Sequence, residues 1–258
     1  MNCEKLHLFA LKKFLGVAKQ TPNDLVYGEL NRYPIYLLSA VKCIRYWLKV
    51  IQMEEHRLPF KAYKMLFDLD AKGKKNWATG VRLKLYQYGF GEVWVNQSVG
   101  DSKVFINVFR QRLIDCRWQE WTSHVEESNR FSLYRLININ HVMPEYMSNN
   151  LNREMKRIVS KFRFGVSDLA IHRNRYNPAS CMSSFCPSCL DTNTDEVHFV
   201  FVCPMLSDIR KQCIPSKFCK HPCLFKLVLL LSSTNEVVVK NLAVFLYKSF
   251  KLLNIAMS

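Results

Sequence analysis

The sequence has little of what marks exported, membrane-spanning or turn-rich proteins. Its 258 residues include only 8 glycines and 9 prolines, too few for a turn-dense all-β protein. Apolar runs such as residues 227–231 are far shorter than the roughly 20 residues that cross a bilayer. Charged residues at positions 4, 5, 12 and 13 interrupt the start, so no hydrophobic signal segment follows Met1. We expect an intracellular protein, nuclear or cytoplasmic, that is not secreted and has no membrane partner.

Catalytic motifs are missing as well. The sequence contains no adjacent pair of aspartates of the kind a polymerase uses, and no nucleophile triad or catalytic carboxylate pair. Asp68-x-Asp70 imitates the start of a calcium loop, but Thr79 stands where the loop needs glutamate. Gly89-Phe-Gly91 is not followed by a nucleotide-binding fingerprint. We therefore predict no enzymatic activity, no catalytic residue and no small-molecule substrate.

Acidic residues are scarce relative to basic ones. The chain has 37 Lys and Arg against 21 Asp and Glu, a net charge of +16. Such an excess favours a polyanionic partner, with nucleic acid, RNA or DNA, as the first choice. The alternative is a basic protein that has no such ligand.

The most informative feature present is the pattern C-x₂-C-x₈-H-x₄-C, formed by Cys186, Cys189, His198 and Cys203. Three thiolates and one imidazole are a structural zinc set that leaves no position open for water. The sequence therefore predicts one structural Zn²⁺ that stabilises the fold. Buried unliganded thiols, a Cys186–Cys189 disulfide and a redox C-x-x-C are the alternatives, and a reducing compartment disfavours the disulfide.

The spacing within this pattern predicts its local structure. On an α-helix, His198 and Cys203 would lie about 140° apart, so we expect a turn or strand end between them. Residues 197–202 alternate in hydropathy and predict a short strand, with Phe199 and Phe201 over the metal. Asp195 or Glu196 is expected to orient His198.

Other cysteines offer competing ligands. Cys213, Cys219, His221 and Cys223 are irregularly spaced, and buried or surface thiols are the better interpretation than a second zinc. Cys181 competes with Cys186 as a ligand.

Hydrophobic periodicity is helical almost throughout. Apolar residues recur at three- and four-residue spacing in four stretches, residues 37–51, 106–116, 151–162 and 239–253. Thr21-Pro22 predicts a cap and a first-turn proline for a short helix. The predicted fold is all-α, a multi-helix body with a small CCHC zinc-bound hairpin or loop near the C-terminus. We predict two domains, a helical domain over 1–145 and a basic, zinc-bearing domain over 146–258.

Basic residues form a stripe near the predicted zinc site. Arg153, Arg157 and Lys161 are spaced i, i+4, i+8 along one helix face. The candidate phosphate contacts are Arg153, Lys156, Arg157, Lys161, Arg163, Arg173 and Arg175, and aromatic neighbours offer stacking surfaces for unpaired bases. The alternative is a solvated helix face.

Several segments, taken in chain order, resemble the C-terminal region of non-LTR (LINE-type) retrotransposon reverse transcriptase polyproteins. They include Leu15-Gly16-Val17, residues 21–34, Tyr46-Trp47-Leu48, residues 73–77, residues 89–94, residues 112–116, Phe162-Arg163-Phe164, His198-Phe199 with Cys203-Pro204, and Leu246-Tyr247-Lys248. The similarity covers nearly the whole chain, and the cysteine–histidine motif is its most specific part. The chain departs from the family at residues 170–176, where relatives carry a glycine–arginine step.

This resemblance implies the tail of such a polyprotein without its endonuclease or polymerase palm. The family's zinc ligands correspond to Cys186, Cys189, His198 and Cys203. The expected function is therefore a non-catalytic, zinc-containing tail that binds element RNA or target DNA. The alternatives are an interaction module that packs on a reverse transcriptase domain supplied elsewhere or on another partner, and a degenerate reading frame with no function.

Overall fold

The structure is a computed structural model, and it describes residues 3–128, 131–139, 142–169, 171–172, 186, 189 and 195–252. Within these ranges the regular structure is helical and contains no strand, which confirms the predicted all-α class. The α-helices are α1 (Cys3–Leu15), α2 (Asn23–Leu30), α3 (Ile35–Ile51), α4 (Leu58–Ala71), α5 (Trp77–Gln87), α6 (Gly91–Asn96), α7 (Ser102–Glu127), α8 (Tyr134–Ile137), α9 (Glu145–Ser148), α10 (Arg153–Arg163), α11 (Ser207–Cys213), α12 (Ser216–Cys219), α13 (Leu224–Leu231) and α14 (Glu236–Leu252). A π-helix, His198–Val202, and a 3₁₀-helix, Pro204–Leu206, precede α11.

The chain forms two compact units. The first unit contains residues 1–32 and 123–258, and the second contains residues 33–122. These bounds differ from the predicted domains, 1–145 and 146–258. The reason is that α1 packs against α10 as well as against α2, which joins the N-terminal residues to the second half of the chain.

The second unit is built around α3. Its buried face carries Leu37, Val41, Ile44 and Leu48, the periodic residues that predicted this helix. Trp47 stacks on Trp94 at 5.9 Å between ring centroids. The same core includes Ile106, Phe109 and Leu113 of α7, so the periodicity in that stretch is confirmed too.

In the first unit, α10 packs on α14, and both contribute fully buried aromatic side chains. Phe162 of α10 lies 6.5 Å from Phe250 of α14, measured between ring centroids. The apolar periodicity predicted both helices, although α10 begins at Arg153, after Leu151. The cap predicted at Thr21 lies one residue later, because Pro22 is the N-cap of α2 and Asn23 its first helical residue.

Among the described residues, no single helix has the length and apolar composition to cross a membrane. In the same part of the chain one pair of helices, α13 and α14, passes this test of length and composition when taken together, with a bend of 111° between them.

Candidate metal centre

The four predicted ligands converge. One donor atom from each of Cys186, Cys189, His198 and Cys203 lies within 4.8 Å of all the others. The sulfurs of Cys186 and Cys203 are 3.9 Å apart, and the sulfur of Cys189 is 3.4 Å from Nε2 of His198. Tetrahedral zinc with bonds of about 2.3 Å to sulfur separates two sulfurs by about 3.8 Å. The four residues could therefore hold one metal ion.

His198 and Cys203 are brought together by a π-helix. The backbone N–H of Cys203 donates to the carbonyl of His198 at 2.8 Å, an i→i+5 bond that makes a wider turn than an α-helix. This turn returns Cys203 to the side of His198, which five α-helical positions would not do. The strand predicted over 197–202 is wrong, because all of these residues are helical.

The π-helix is anchored on both sides. Phe199 lies 5.8 Å from Phe162 and 5.1 Å from Phe250, between ring centroids. Arg210 of α11 is buried and donates to the carbonyls of Val200 at 2.8 Å and Cys203 at 2.7 Å. The sequence analysis did not identify Arg210 as a residue of the site. The one feature of the sequence that could have indicated it is its position seven residues after the ligand Cys203. Phe199 and Phe201 are both buried.

The two acidic residues expected to orient His198 have different contacts. The Asp195 side chain accepts a hydrogen bond from the backbone N–H of His198 at 2.7 Å. Glu196 instead faces His172, whose Nε2 lies 3.1 Å from its Oε1, while Nδ1 of His172 lies 2.6 Å from the Ser167 hydroxyl. His172 is buried rather than part of the basic surface. This chain of contacts connects the loop after α10 to the segment that carries His198.

Burial controls the charge of the site. Burial, together with the neighbouring Cys186 and Cys189 sulfurs, raises the pKa of Cys203 to about 12. A thiolate in this position therefore needs a compensating cation, since an isolated buried charge is unfavourable. A metal ion would supply that charge, and the guanidinium of Arg210 adds a positive charge nearby through its hydrogen bond to the Cys203 carbonyl.

Within the described ranges the other cysteines form no second cluster. Among the described residues, the only group of three or more potential ligands is the one above, so Cys213, Cys219, His221 and Cys223 do not converge. All cysteines within the described ranges are free thiols, including the pair Cys186 and Cys189. Cys181 lies outside the described residues.

Two of the candidate phosphate contacts, Arg157 and Lys156, donate hydrogen bonds to carbonyls near the C-termini of other helices. Arg157 donates through Nη2 to the Lys13 carbonyl at 2.7 Å, at the C-terminus of α1. Nζ of Lys156 donates to the Met147 carbonyl at 2.8 Å, in α9. Both side chains are half-buried. Their positive charges are used at least in part to satisfy carbonyls at helix C-termini.

Arg163 is also directed inward. It is 1% exposed and its Nε donates to Glu29 at 2.6 Å, so it presents no guanidinium to a phosphate. Lys161 is half-buried, and burial lowers its pKa. Arg153 is exposed and has no carboxylate within 4.0 Å in the described part of the chain. Arg173 and Arg175 lie outside the described residues.

No family model, no curated protein and no solved structure matches this chain.

Proposed function

We propose that this chain is a non-catalytic helical module that is stabilised by one Zn²⁺ and binds nucleic acid. The convergence of Cys186, Cys189, His198 and Cys203 on one point is the observation that carries the proposal. Three thiolates and one imidazole match structural zinc, and the set is complete without water. On this proposal the four residues hold the metal only to stabilise the fold, so that zinc binding and folding are coupled.

The nucleic-acid part of the proposal is supported by charge. A net charge of +16 over 258 residues attracts polyanions and accelerates their association. In the first unit, we assign the contacts with phosphate groups to two members of the basic stripe, Arg153 and Lys161. Arg163 is not part of the proposed surface, because it is buried against Glu29.

The origin we propose follows from the resemblance described above. The chain would correspond to the C-terminal tail of a LINE-type polyprotein. This tail would bind one zinc ion as it folds and would bind RNA or DNA for the polymerase. The order of the segments and the CCHC spacing support this origin.

A second candidate is a protein-interaction module. Leu6, Phe9 and Phe14 of α1 are each about half exposed or more, and Leu6 and Phe9 lie on one helix face. Exposed apolar side chains that lie together favour a protein partner. Self-association of the full chain that Phe9→Ser abolishes, without any loss of RNA binding, would support this second role.

The metal is tested by analysis of the full chain after exhaustive dialysis. We expect about one zinc per chain, and its loss in Cys189→Ser and His198→Gln. Cys116→Ser is the matched control, because Cys116 is a half-buried thiol in α7, outside the cluster. Zinc that stays bound in Cys189→Ser and His198→Gln would contradict the assignment.

Nucleic-acid binding is tested by fluorescence anisotropy with labelled single-stranded RNA and duplex DNA over a salt series. We expect the logarithm of the affinity to fall linearly with that of the salt concentration, by about 0.7 per phosphate contact on single strands and about 0.9 on duplex DNA. An affinity that does not change with salt would refute the proposal.

A further inference from the structure

A groove between α3 and α7 of the second unit is lined by basic and hydrogen-bonding side chains. It has a volume of about 350 Å³. Arg45 and Lys49 of α3 and Lys103 of α7 supply three positive charges. Gln52, Ser102 and Asn107 supply amide and hydroxyl groups, and Leu48 and Ile106 form the apolar part of the lining. None of the described residues that line the groove is acidic.

Helix periodicity places the cations there. On α3, Lys42, Arg45 and Lys49 are spaced i, i+3, i+7 and all are exposed. The opposite face of α3 is buried in the core through Ile44 and Trp47. Near the end of this helix, Nε2 of Gln52 donates to the Ser102 hydroxyl at 2.8 Å. This bond holds the end of α3 against the start of α7, and so it brings Lys103 beside the cations of α3.

The positive charges in the groove are not neutralised. The charged groups of Arg45, Lys49 and Lys103 form no ion pair within 4.0 Å in the described ranges, whereas Arg82 of the same unit is paired with Asp70. The nearest acid in sequence, Asp101, accepts the backbone N–H groups of Lys103 at 2.6 Å and Val104 at 3.1 Å. Like charges spaced i, i+4, such as Arg45 and Lys49, destabilise a helix. A bound anion would offset this repulsion.

The donors in the groove match phosphate oxygens. A guanidinium, two ammonium groups and uncharged N–H and O–H groups give a charged and directional set of hydrogen bonds. The unit as a whole carries 15 Lys and Arg against 8 Asp and Glu.

An exposed aromatic ring follows the first of these cations along α3. Tyr46 is 54% exposed and comes directly after Arg45 in the chain, so its side chain points about 100° round the helix from Arg45, at the flank of the groove. The Trp77 ring meets it edge-on at 5.8 Å, which orients the phenol. An oriented, exposed ring next to phosphate-binding cations is how proteins hold unpaired bases.

We propose that the groove between α3 and α7 binds the backbone of single-stranded nucleic acid. Arg45, Lys49 and Lys103 contact successive phosphates, and Tyr46 stacks on a base. This inference rests on the proposed nucleic-acid binding, but it assigns the contact to the second unit, apart from the metal centre and the basic stripe of α10.

The experiment compares two triple variants of the full chain that lose the same charge. Arg45→Gln, Lys49→Gln and Lys103→Gln neutralise the groove. Lys61→Gln, Lys64→Gln and Lys72→Gln, all exposed and in the same unit, are the matched control. Circular dichroism is used to check that both variants fold like the wild type.

Binding is measured by anisotropy with a labelled single-stranded RNA of about 20 nucleotides. We expect the groove variant to bind on the order of 30-fold more weakly at about 0.15 M salt, with a salt slope shallower by about 2. The control should lose less than about threefold, since it alters only the long-range field. Tyr46→Leu should weaken binding about tenfold and leave the slope unchanged.

The outcomes separate the two proposals. If the wild-type chain binds RNA and the two triple variants bind equally, the groove is not the site although the chain binds nucleic acid. If the wild-type chain binds neither single-stranded RNA nor duplex DNA, both proposals are wrong, whereas binding to duplex DNA alone would refute only the groove. Displacement of RNA by inorganic phosphate at constant ionic strength, or groove-dependent binding to anionic vesicles without binding to RNA, would also overturn the assignment.

Discussion

Gly16 ends α1 in a conformation that side chains disfavour. Its φ is +69°, and the backbone N–H of Val17 closes the helix by donating to the Lys12 carbonyl at 3.1 Å. A Cβ at this position would lie 2.7 Å from the Cγ and Cδ of Arg157. Glycine is therefore needed here for two reasons, the left-handed backbone and the close approach of Arg157 to the end of the helix.

We expect Gly16→Ala to lower the free energy of unfolding by about 1–3 kcal/mol, because the left-handed strain adds to the displacement of Arg157. Urea denaturation followed by circular dichroism measures the change. The control is Gly80→Ala in the interior of α5, where a Cβ meets nothing within 4 Å. It should be neutral or stabilising by up to about 1 kcal/mol. Equal effects of the two substitutions would contradict both the backbone strain and the role of the Arg157 contact.

At the scale of elements, α4 and α5 are connected by one carboxylate. Asp70 of α4 accepts hydrogen bonds from Arg82 Nε at 2.7 Å and from the Thr79 hydroxyl at 2.6 Å, both in α5. The hydrogen bonds from Arg82 and Thr79 lower the pKa of Asp70, although burial opposes them. Asn76 caps the start of α5 and forms a capping box with Thr79, so the same threonine takes part in both contacts.

We expect Asp70→Asn to cost about 1–2 kcal/mol of stability at neutral pH. Because the folded pKa lies below the unfolded value of about 3.9, the carboxylate stabilises the fold above that pH and loses its contribution as pH falls through the folded pKa. The difference between wild type and Asp70→Asn should therefore shrink below about pH 4. All five tryptophans lie within residues 33–122, so their fluorescence in urea follows this unit.

The matched control for this pH dependence is Asp68→Asn. Asp68 is an exposed aspartate on the same helix, and its substitution should change stability by less than about 0.5 kcal/mol at either pH. A deficit in Asp70→Asn that stays constant down to pH 3 would disprove the role of the ionised carboxylate.

At the scale of the whole molecule, the first unit contains a buried polar centre. Glu29 of α2 is fully buried and accepts hydrogen bonds from Arg163 of α10 and from the Tyr146 hydroxyl of α9. Arg163 also donates to the Leu231 carbonyl at the end of α13. Burial, and then the Glu29 carboxylate, raises the pKa of Tyr146 well above its usual value, so the phenol stays neutral and donates. Four helices are thereby connected through one ion pair.

We expect Glu29→Gln to cost about 3–5 kcal/mol, because it leaves the buried Arg163 without its counter-charge. The double variant Glu29→Leu, Arg163→Met should cost less than the single one, since it removes both charges. Asp208→Asn, which breaks an exposed pair with Lys211, is the control and should cost less than about 1 kcal/mol. Unfolding is followed by circular dichroism. A Glu29→Gln variant no less stable than Asp208→Asn would contradict this account.

Local sequence patterns predict much of the fold and the set of four candidate metal ligands. The helices α3, α10 and α14 were predicted because apolar residues at three- and four-residue spacing form one face, whatever that face packs on. The cluster of Cys186, Cys189, His198 and Cys203 was predicted because its spacing suits one ion. The strand at 197–202 was wrong because short apolar runs look alike in a strand and in a buried helix. In this segment the helical residues are held by the ring contacts of Phe199 with Phe162 and Phe250. Arg210 also donates to two of the segment's carbonyls.

The sequence by itself determined the helical class, the positions of the long helices and the four candidate ligands, since each depends on residues close together in the chain. Only the tertiary structure decided which cations are free to meet a ligand. Arg163 lies 134 residues from Glu29 and Arg157 lies 144 from Lys13, and periodicity carries no information over such distances. The same limit hid the groove of Arg45, Lys49 and Lys103, because its two walls come from helices that meet only when the chain folds.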